Sequence, residues 1–321
     1  MPTDDIEKKV LVTGGAGDIG SRFVKALLKR GLKVKILDCQ YGPFKEERHP
    51  NLEFVGIGDS ELHGGMANRD VVQKAVKDVD VVYHLAINWD GHTWKHQLPL
   101  ADLFDVNIRG TLNLLEAAKS QGIRHFLFAS SCAVYGSQKS KTVDEETVCK
   151  PESWEGDPGP SYGILKLTTE KLCLLYHHEY GLPITVFRIE AVFTDSDALP
   201  SRKIIDNLRK DGIIEVTRGD GYASIHVDEV IQAFLLATLN KKAYGQIFNL
   251  SNPATFITYY ELYKLLIQNT SSKTKVRLTV DQTSSGRAIE STKKIQRAPG
   301  WKPFKTKDDL KKAIIQSLKS I

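Results

Sequence analysis

Four glycines stand where an apolar run gives way to an amphipathic one. The stretch VLVTGGAGDIGSRFVKALLKRG, residues 10 to 31, carries Gly14, Gly15, Gly17 and Gly20. It satisfies Gly-xx-Gly-xx-Gly counted from Gly14 and Gly-x-Gly-xx-Gly counted from Gly15. Glycines so spaced permit a tight turn and let a pyrophosphate approach backbone N–H groups at a helix N-terminus, whose dipole favours negative charge. Asp38 closes the next apolar run, KVKILD, eighteen positions beyond Gly20. A carboxylate at that remove can accept hydrogen bonds from a ribose diol. Glycine loop and carboxylate together predict a dinucleotide site. Cys39, Gln40 and Tyr41 follow Asp38, with no arginine to receive a 2′-phosphate, so NAD is expected rather than NADP.

A second group of chemistry-bearing residues lies in INWDGHTWKH, residues 87 to 96, which offers Asp90, His92 and His96 beside Trp89 and Trp94. A metal needs its ligands held in fixed geometry, which a loop position does not supply, so no metal is expected. Stacking on a substrate or hydrogen bonding to it is the expectation, with packing of the tryptophans under the loop as the alternative. The pair His177 and His178 is expected to be structural.

These residues need elements to carry them. KVLVT, KVKILD, LEFVGIG, VDVVYHLA, HFLFASS and PITVFRI read as strands, being short β-branched or aromatic runs. SRFVKALLKRG, DVVQKAVKDV, LFDVNIRGTLNLLEAAKSQG and SYGILKLTTEKLCLLYHHEYG read as helices, three of them stopping on Gly31, Gly122 and Gly181. Strands alternating with helices imply a parallel sheet covered on both faces. After about residue 190 the rhythm loosens, and IHVDEVIQAFLLATLNKK and YYELYKLLIQNT read as helices between polar connections. This half is expected to form a smaller substrate domain.

Composition narrows the class. Over 321 residues, 41% apolar and 26% charged is the balance of an ordinary globular protein. No run approaches the ~20 apolar residues of a membrane helix, and MPTDDIEKK is too acidic for a secretory leader. The four cysteines, Cys39, Cys132, Cys149 and Cys173, are scattered without CxxC pairing, which reads as reduced thiols in a cytoplasm. The net charge of +5 owes much to KKIQRAPGWKPFKTKDDLKK, where acids and prolines interrupt the bases. A solvated surface is expected there, not a nucleic-acid footprint.

TGGAGDIG, HLA at 84–86, VNIRGTLNLLEAA at 106–118, SSCAVYG at 130–136 and SYGILK at 161–166 occur in that order. Together they resemble the extended short-chain dehydrogenase/reductase family, in its NAD-dependent epimerase/dehydratase branch that includes UDP-glucose 4-epimerase-like enzymes. The resemblance runs from Val10 to GWKP at 300–303 and is much stronger in the first half. It implies an α/β fold, a Rossmann-type doubly wound parallel sheet with a smaller C-terminal substrate domain. Residues 1–188 would bind NAD, with a later return near 225–250, and residues 189–321 would mainly bind substrate.

A Tyr-xxx-Lys pair does the chemistry in that family. Four such pairs occur here: Tyr41/Lys45, Tyr135/Lys139, Tyr162/Lys166 and Tyr260/Lys264. Only Tyr162/Lys166 opens a long helical pattern about thirty residues past Ser130-Ser131, and its spacing of four puts both side chains on one helix face. The resemblance implies that Lys166 and the nicotinium charge lower the Tyr162 pKa from about 10, making it a base. Ser131 would bond the reacting oxygen and Lys166 would also hold the nicotinamide ribose. Gly14, Gly17, Asp18, Ile19, Gly20, Asp38, Asp59, Leu85, Ala86, Asn107, Tyr162 and Lys166 would line the cofactor. Asp59 would contact adenine, although GGMANRD just beyond fits the same pattern without its Asp.

The departures bear on substrate. Where 4,6-dehydratases of the branch carry Asp-Glu after the catalytic hydroxyl residue, this chain has Cys132 and Ala133, so such a dehydratase is not expected. Ala191 replaces the usual diphosphate-binding Asn and Tyr222 the usual Arg; Arg202, Arg209, Arg218 or Arg287 could compensate. The leading expectation is a nucleotide-sugar epimerase, at C4. The alternatives are a net dehydrogenase or reductase of a smaller sugar, alcohol or ketone, and a non-catalytic NAD-sensing regulator, against which the intact Ser131/Tyr162/Lys166 set argues. A small-molecule substrate, no membrane partner and a homodimer are also expected. The dimer would pair the apolar helices near 103–120 and 161–180 across a two-fold axis.

Overall fold

The structure is a computed structural model that describes residues 9–56, 65–87, 99–154, 159–210, 212–279 and 288–319, with Arg202 described only by its backbone. In chain order the elements are β1 Lys9–Thr13, α1 Asp18–Leu28, β2 Lys33–Leu37, β3 Leu52–Val55, α2 Arg69–Val76, β4 Val79–His84, α3 Leu100–Phe104, α4 Gly110–Gln121 and β5 His125–Ser131. There follow β6 Thr142–Val143, α5 Pro160–Tyr180, β7 Ile184–Ile189, β8 Val192–Phe193, α6 Arg202–Arg209, β9 Ile213–Thr217, β10 Gly221–His226 and α7 Val227–Ala237. The chain closes with β11 Gln246–Leu250, β12 Asn252–Thr258, α8 Tyr259–Gln268, β13 Lys275–Thr279, β14 Ile289–Glu290, α9 Lys293–Arg297 and α10 Lys307–Leu318.

Seven strands form one parallel sheet in the order β11-β7-β5-β4-β1-β2-β3. This is the doubly wound α/β fold expected from the alternation of elements. The central strands read as continuous apolar runs because helices cover both faces: Val10, Leu11 and Val12 are all fully buried. On one face α1 and α7 pack Phe23, Leu27, Val230 and Phe234 against the sheet; on the other, α2, α4 and α5 pack Val72, Leu114, Leu115 and Cys173. Strand order reverses between β1 and β4, and at such a switch point the loops part to leave a cleft beyond the carboxyl ends of the strands. A third apolar cluster joins α6, β9, α8 and α10. No described helix is long and apolar enough to cross a membrane.

One helical expectation is refined and another corrected. The pattern at 103–122 is helical without a break, but α3 and α4 are joined through a π-helical turn over Asp105–Arg109, in which Asn107 is buried. The helix expected from residue 225 starts at Val227, because Ile225 and His226 finish β10. His226 caps α7 in a reciprocal capping box with Glu229. Glu229 is itself buried, and its Oε1 accepts from Asn252 Nδ2 at 2.9 Å, Phe304 N at 2.7 Å and Lys305 N at 2.9 Å. The C-terminal segment, with the fully buried Trp301 donating its indole N–H to the Glu229 carbonyl at 2.9 Å, is thereby pinned to the start of α7. The apolar residues of α4 and α5 divide: Leu114, Leu115 and Leu165 are buried, whereas Ile164, Leu175 and Tyr180 are exposed.

Two buried histidines tie the sheet to its helices. His125 Nδ1 accepts from Leu239 N at 3.0 Å while its Nε2 meets Thr185 Oγ1 at 2.9 Å, and that hydroxyl donates onward to the Ala243 carbonyl at 2.7 Å. His84 Nδ1 meets Thr13 Oγ1 at 2.7 Å and its Nε2 meets Thr111 Oγ1 at 2.8 Å. Burial pushes both imidazoles down to about 3, with the Lys166 charge assisting at His84. Unfolded, each titrates near 6.5, so their contribution is whole above that value and is lost as pH falls from about 6.5 toward 3. Unfolding free energy by urea titration should therefore fall by up to about 1.4 kcal/mol per pH unit for each histidine over that window. His84→Gln and His125→Gln should each flatten the slope by one proton; an unchanged slope would remove the assignment.

Candidate active site

The glycine loop follows β1 directly into α1. Gly14 has φ +68°, and a Cβ there would lie 2.7 Å from the Ala86 backbone nitrogen. A Cβ on Gly20 would collide with the Gly14 carbonyl oxygen. Gly17 stands at the N-cap of α1, with Asp18, Ile19 and Gly20 forming the first turn, whose N–H groups have no intrahelical acceptor. Asp38 follows directly on the end of β2. Its Oδ2 accepts from Ala16 N at 2.9 Å and its Oδ1 from Gln40 N at 3.3 Å. The carboxylate therefore sits across the mouth of a bare backbone cradle, an arrangement that fits a dinucleotide with its pyrophosphate on the amides and a ribose diol on Asp38.

The far wall is set by a directional chain of hydrogen bonds. Ala86 N donates to Thr13 Oγ1 at 3.2 Å, and Thr111 Oγ1 donates to the Asn107 carbonyl at 2.6 Å. With His84 neutral between the two threonines, its Nδ1 accepts from Thr13 and its Nε2–H donates to Thr111. The chain links Leu85 and Ala86, at the end of β4, to Asn107 in the π turn. The Asn107 side chain donates to the Leu103 carbonyl at 2.8 Å, and its residue shares a small cavity with His84, Ala86 and Lys166.

Tyr162 and Lys166 lie in the first two turns of α5, facing the end of β5. Lys166 is buried, donates to the Ala129 carbonyl at 2.6 Å, and lies 5.1 Å from the Phe128 ring and 5.9 Å from the Tyr162 ring. The Tyr162 hydroxyl is hydrogen-bonded to Ser131, whose Oγ also accepts from Ala133 N at 3.1 Å. The structure thus brings Ser131, Tyr162 and Lys166 together at one strand end. The other Tyr-xxx-Lys pairs are elsewhere: the Tyr135 hydroxyl bonds Asn249 and Arg188, and Lys264 stacks on Tyr260.

A family model, NAD dependent epimerase/dehydratase, matches residues 10–251. The chain belongs to that family. It is 31% identical to an uncharacterized protein, y4nG, of Sinorhizobium fredii, over 85% of this chain and 63% of that one. It is 29% identical to a putative UDP-glucose 4-epimerase of Methanocaldococcus jannaschii over 95% of both. The chain spans about three fifths of the length of the first curated relatives it matches. A UDP-glucose 4-epimerase of Thermotoga maritima, solved with UDP-glucose, superposes with a TM-score of 0.74 at 24% identity, covering 97% of this chain and 99% of that one, which shows the shared fold. NAD is the cofactor of the family.

In this family member burial is the largest influence on both groups. Burial pushes Tyr162 up to about 12 despite its bond to Ser131, and burial pulls Lys166 down to about 7. Both shifts favour the neutral forms; the expectation that Lys166 together with the nicotinium charge lowers the tyrosine concerns the loaded site, where a positive ring would favour the phenolate.

Several participants escaped the sequence reading. Glu170, one turn past Lys166, is fully buried and receives Arg188 Nη2 at 2.6 Å, Arg188 Nε at 3.1 Å and Ser130 Oγ at 3.1 Å. Arg188 also reaches the Tyr135 hydroxyl at 3.0 Å and the Glu145 carbonyl at 3.2 Å. Beside Ser131, buried Cys132, Glu190 and Glu290 bring their sulfur and carboxylate oxygens within 4.8 Å of one another; the carboxylates arrive from the end of β7 and from β14. The only sequence signal was Arg188 and Glu190 within RIEAV. Ala191 is exposed beside Glu190, and Tyr222 packs near Tyr259 with ring centres 5.9 Å apart. Asp59, Trp89, Asp90, His92, Trp94, His96 and Arg287 lie outside the described residues.

The Asp38 carboxylate generates a specificity test. NAD should bind more tightly than NADP in fluorescence titrations, because the carboxylate accepts from the diol and repels a 2′-phosphate. Asp38→Ala should weaken NAD by about tenfold or more and narrow the gap; equal or tighter NADP binding by the unaltered protein would refute the assignment.

Proposed function

We propose that the protein is an NAD-dependent epimerase of a nucleotide sugar, inverting C4 by transient oxidation. The observation that carries the proposal is the Ser131, Tyr162 and Lys166 set at the end of β5, facing the same cleft as the glycine loop. Relatives named UDP-glucose 4-epimerase, in Methanocaldococcus jannaschii as a putative one and in Lactobacillus helveticus, support the substrate class. Bound NAD would supply the hydride acceptor and donor together with a positive ring. Tyr162 Oη would take the proton of the C4 hydroxyl as that carbon is oxidised and return it to the oxygen when hydride comes back to the opposite face. Ser131 Oγ would hold the reacting oxygen between these events. Lys166 would bond the nicotinamide ribose and, when protonated, favour the phenolate. Cys132 and Ala133 supply no acid–base pair directly after Ser131, which disfavours elimination of water.

A dehydrogenase of a smaller sugar, alcohol or ketone is the second reading, favoured by Ala191 and Tyr222 at the positions where diphosphate partners are expected. Product separates the two. An epimerase interconverts two sugar nucleotides with no net NADH absorbance, since hydride returns to the same carbon; a dehydrogenase accumulates NADH with product.

Tyr162→Phe should keep NAD binding and lose turnover by about 100-fold or more, because the ring still packs while the proton acceptor is gone. Ser131→Ala should lose less, and Lys166→Ala should damage both rate and NAD affinity. Turnover surviving intact in Tyr162→Phe would show that the tyrosine is not the base.

A further inference from the structure

A cavity of about 370 Å³ opens along β11, the edge strand of the large sheet. Gln246, at the amino end of that strand, is part of its lining, whereas the cofactor cleft lies beyond the carboxyl ends of β1, β4 and β5. Four cations converge on it: Lys242 from the 3₁₀ turn before β11, and Lys293, Lys294 and Arg297 from α9. Lys293 and Arg297 are four apart and share a helix face. Among the described residues none of the four is in an ion pair; Lys294 instead lies over the ring of Phe248, 5.7 Å from its centre, at the apolar floor.

Two carboxylates also line the cavity, and both have other partners. Glu145 Oε1 accepts from Asn249 N at 2.8 Å. Asp144 Oδ1 accepts from Glu146 N at 3.2 Å and from Thr147 Oγ1 at 3.0 Å. Four positive against two negative charges leave an excess of two over a concave, partly apolar surface, where the field is focused and least screened. We propose that this cavity binds a compact polyanion, one carrying phosphate or several carboxylates. Its volume lies at the small end of ligand sites and suits an anion of pyrophosphate or citrate size better than a nucleotide sugar, so the ligand is not the substrate of the cleft.

Binding is measured by calorimetry on the NAD-saturated protein at low salt, with inorganic pyrophosphate and with citrate in separate titrations. Expected is saturable binding of one anion per chain that weakens with added salt. Lys293→Gln with Arg297→Gln should weaken it by about tenfold or more, and Lys29→Gln with Arg30→Gln, which removes the same charge from the turn after α1, should not. Pyrophosphate alone binding, citrate alone binding, or both binding would each support the site and identify phosphate, carboxylate or shared charge as what it reads. Binding of neither anion, or equal loss in both double variants, would overturn it.

Discussion

The buried ion pair between Arg188 and Glu170 is the contact on which the geometry of the candidate site depends. Its side chains are 2% and 0% exposed, and two hydrogen bonds join them fork to fork. Burying two charges is unfavourable unless every remaining lone pair and proton is satisfied. Here Ser130 and Tyr135 and the Glu145 carbonyl complete the set, and the Tyr135 hydroxyl donates onward to Asn249 Oδ1 at 2.6 Å. The network spans α5, β5, β7 and β11. Tyr162 and Lys166 lie two turns and one turn before Glu170 on the same face of α5, and Ser131 follows Ser130. Holding Glu170 on Ser130 therefore sets how far the tyrosine stands from the serine.

What was legible in the sequence was local. β1 to β5 and β7 announce themselves as short apolar runs, and the glycine loop and Asp38 are read from one strand–turn–helix unit. Tyr162/Lys166 stands out from three similar pairs because it alone opens a long helix after a Ser-Ser strand end. What was not legible joins distant parts of the chain. Glu170 looks like an ordinary charge in a helix until Arg188 meets it, and His84 looks like the edge of a strand until Thr13 and Thr111 enclose it. Cys132, Glu190 and Glu290 become neighbours only when β14 pairs with β6. The π turn at Asn107 and the start of α7 at Val227 were missed because apolar periodicity does not report hydrogen-bond register or a capping box.

Electrostatics tell the same story at a finer scale. Spacing placed Lys166 beside Tyr162 correctly, but it could not report that both are so deeply desolvated that neutral forms are favoured, with the phenol up at about 12 and the amine down at about 7. One added positive charge in a low-dielectric site favours the phenolate over the phenol, and a phenolate beside Lys166 in turn favours its ammonium form.

The most direct test follows the hydrogen itself. The protein is incubated with NAD and a UDP-hexose deuterated at C4, and the inverted sugar is examined by mass spectrometry and NMR. Transient oxidation with return of hydride to the same carbon predicts that deuterium stays at C4 of the product, with no protium taken from water and no NADH accumulating. Washout of the label, or NADH formed in proportion to an uninverted product, would contradict it.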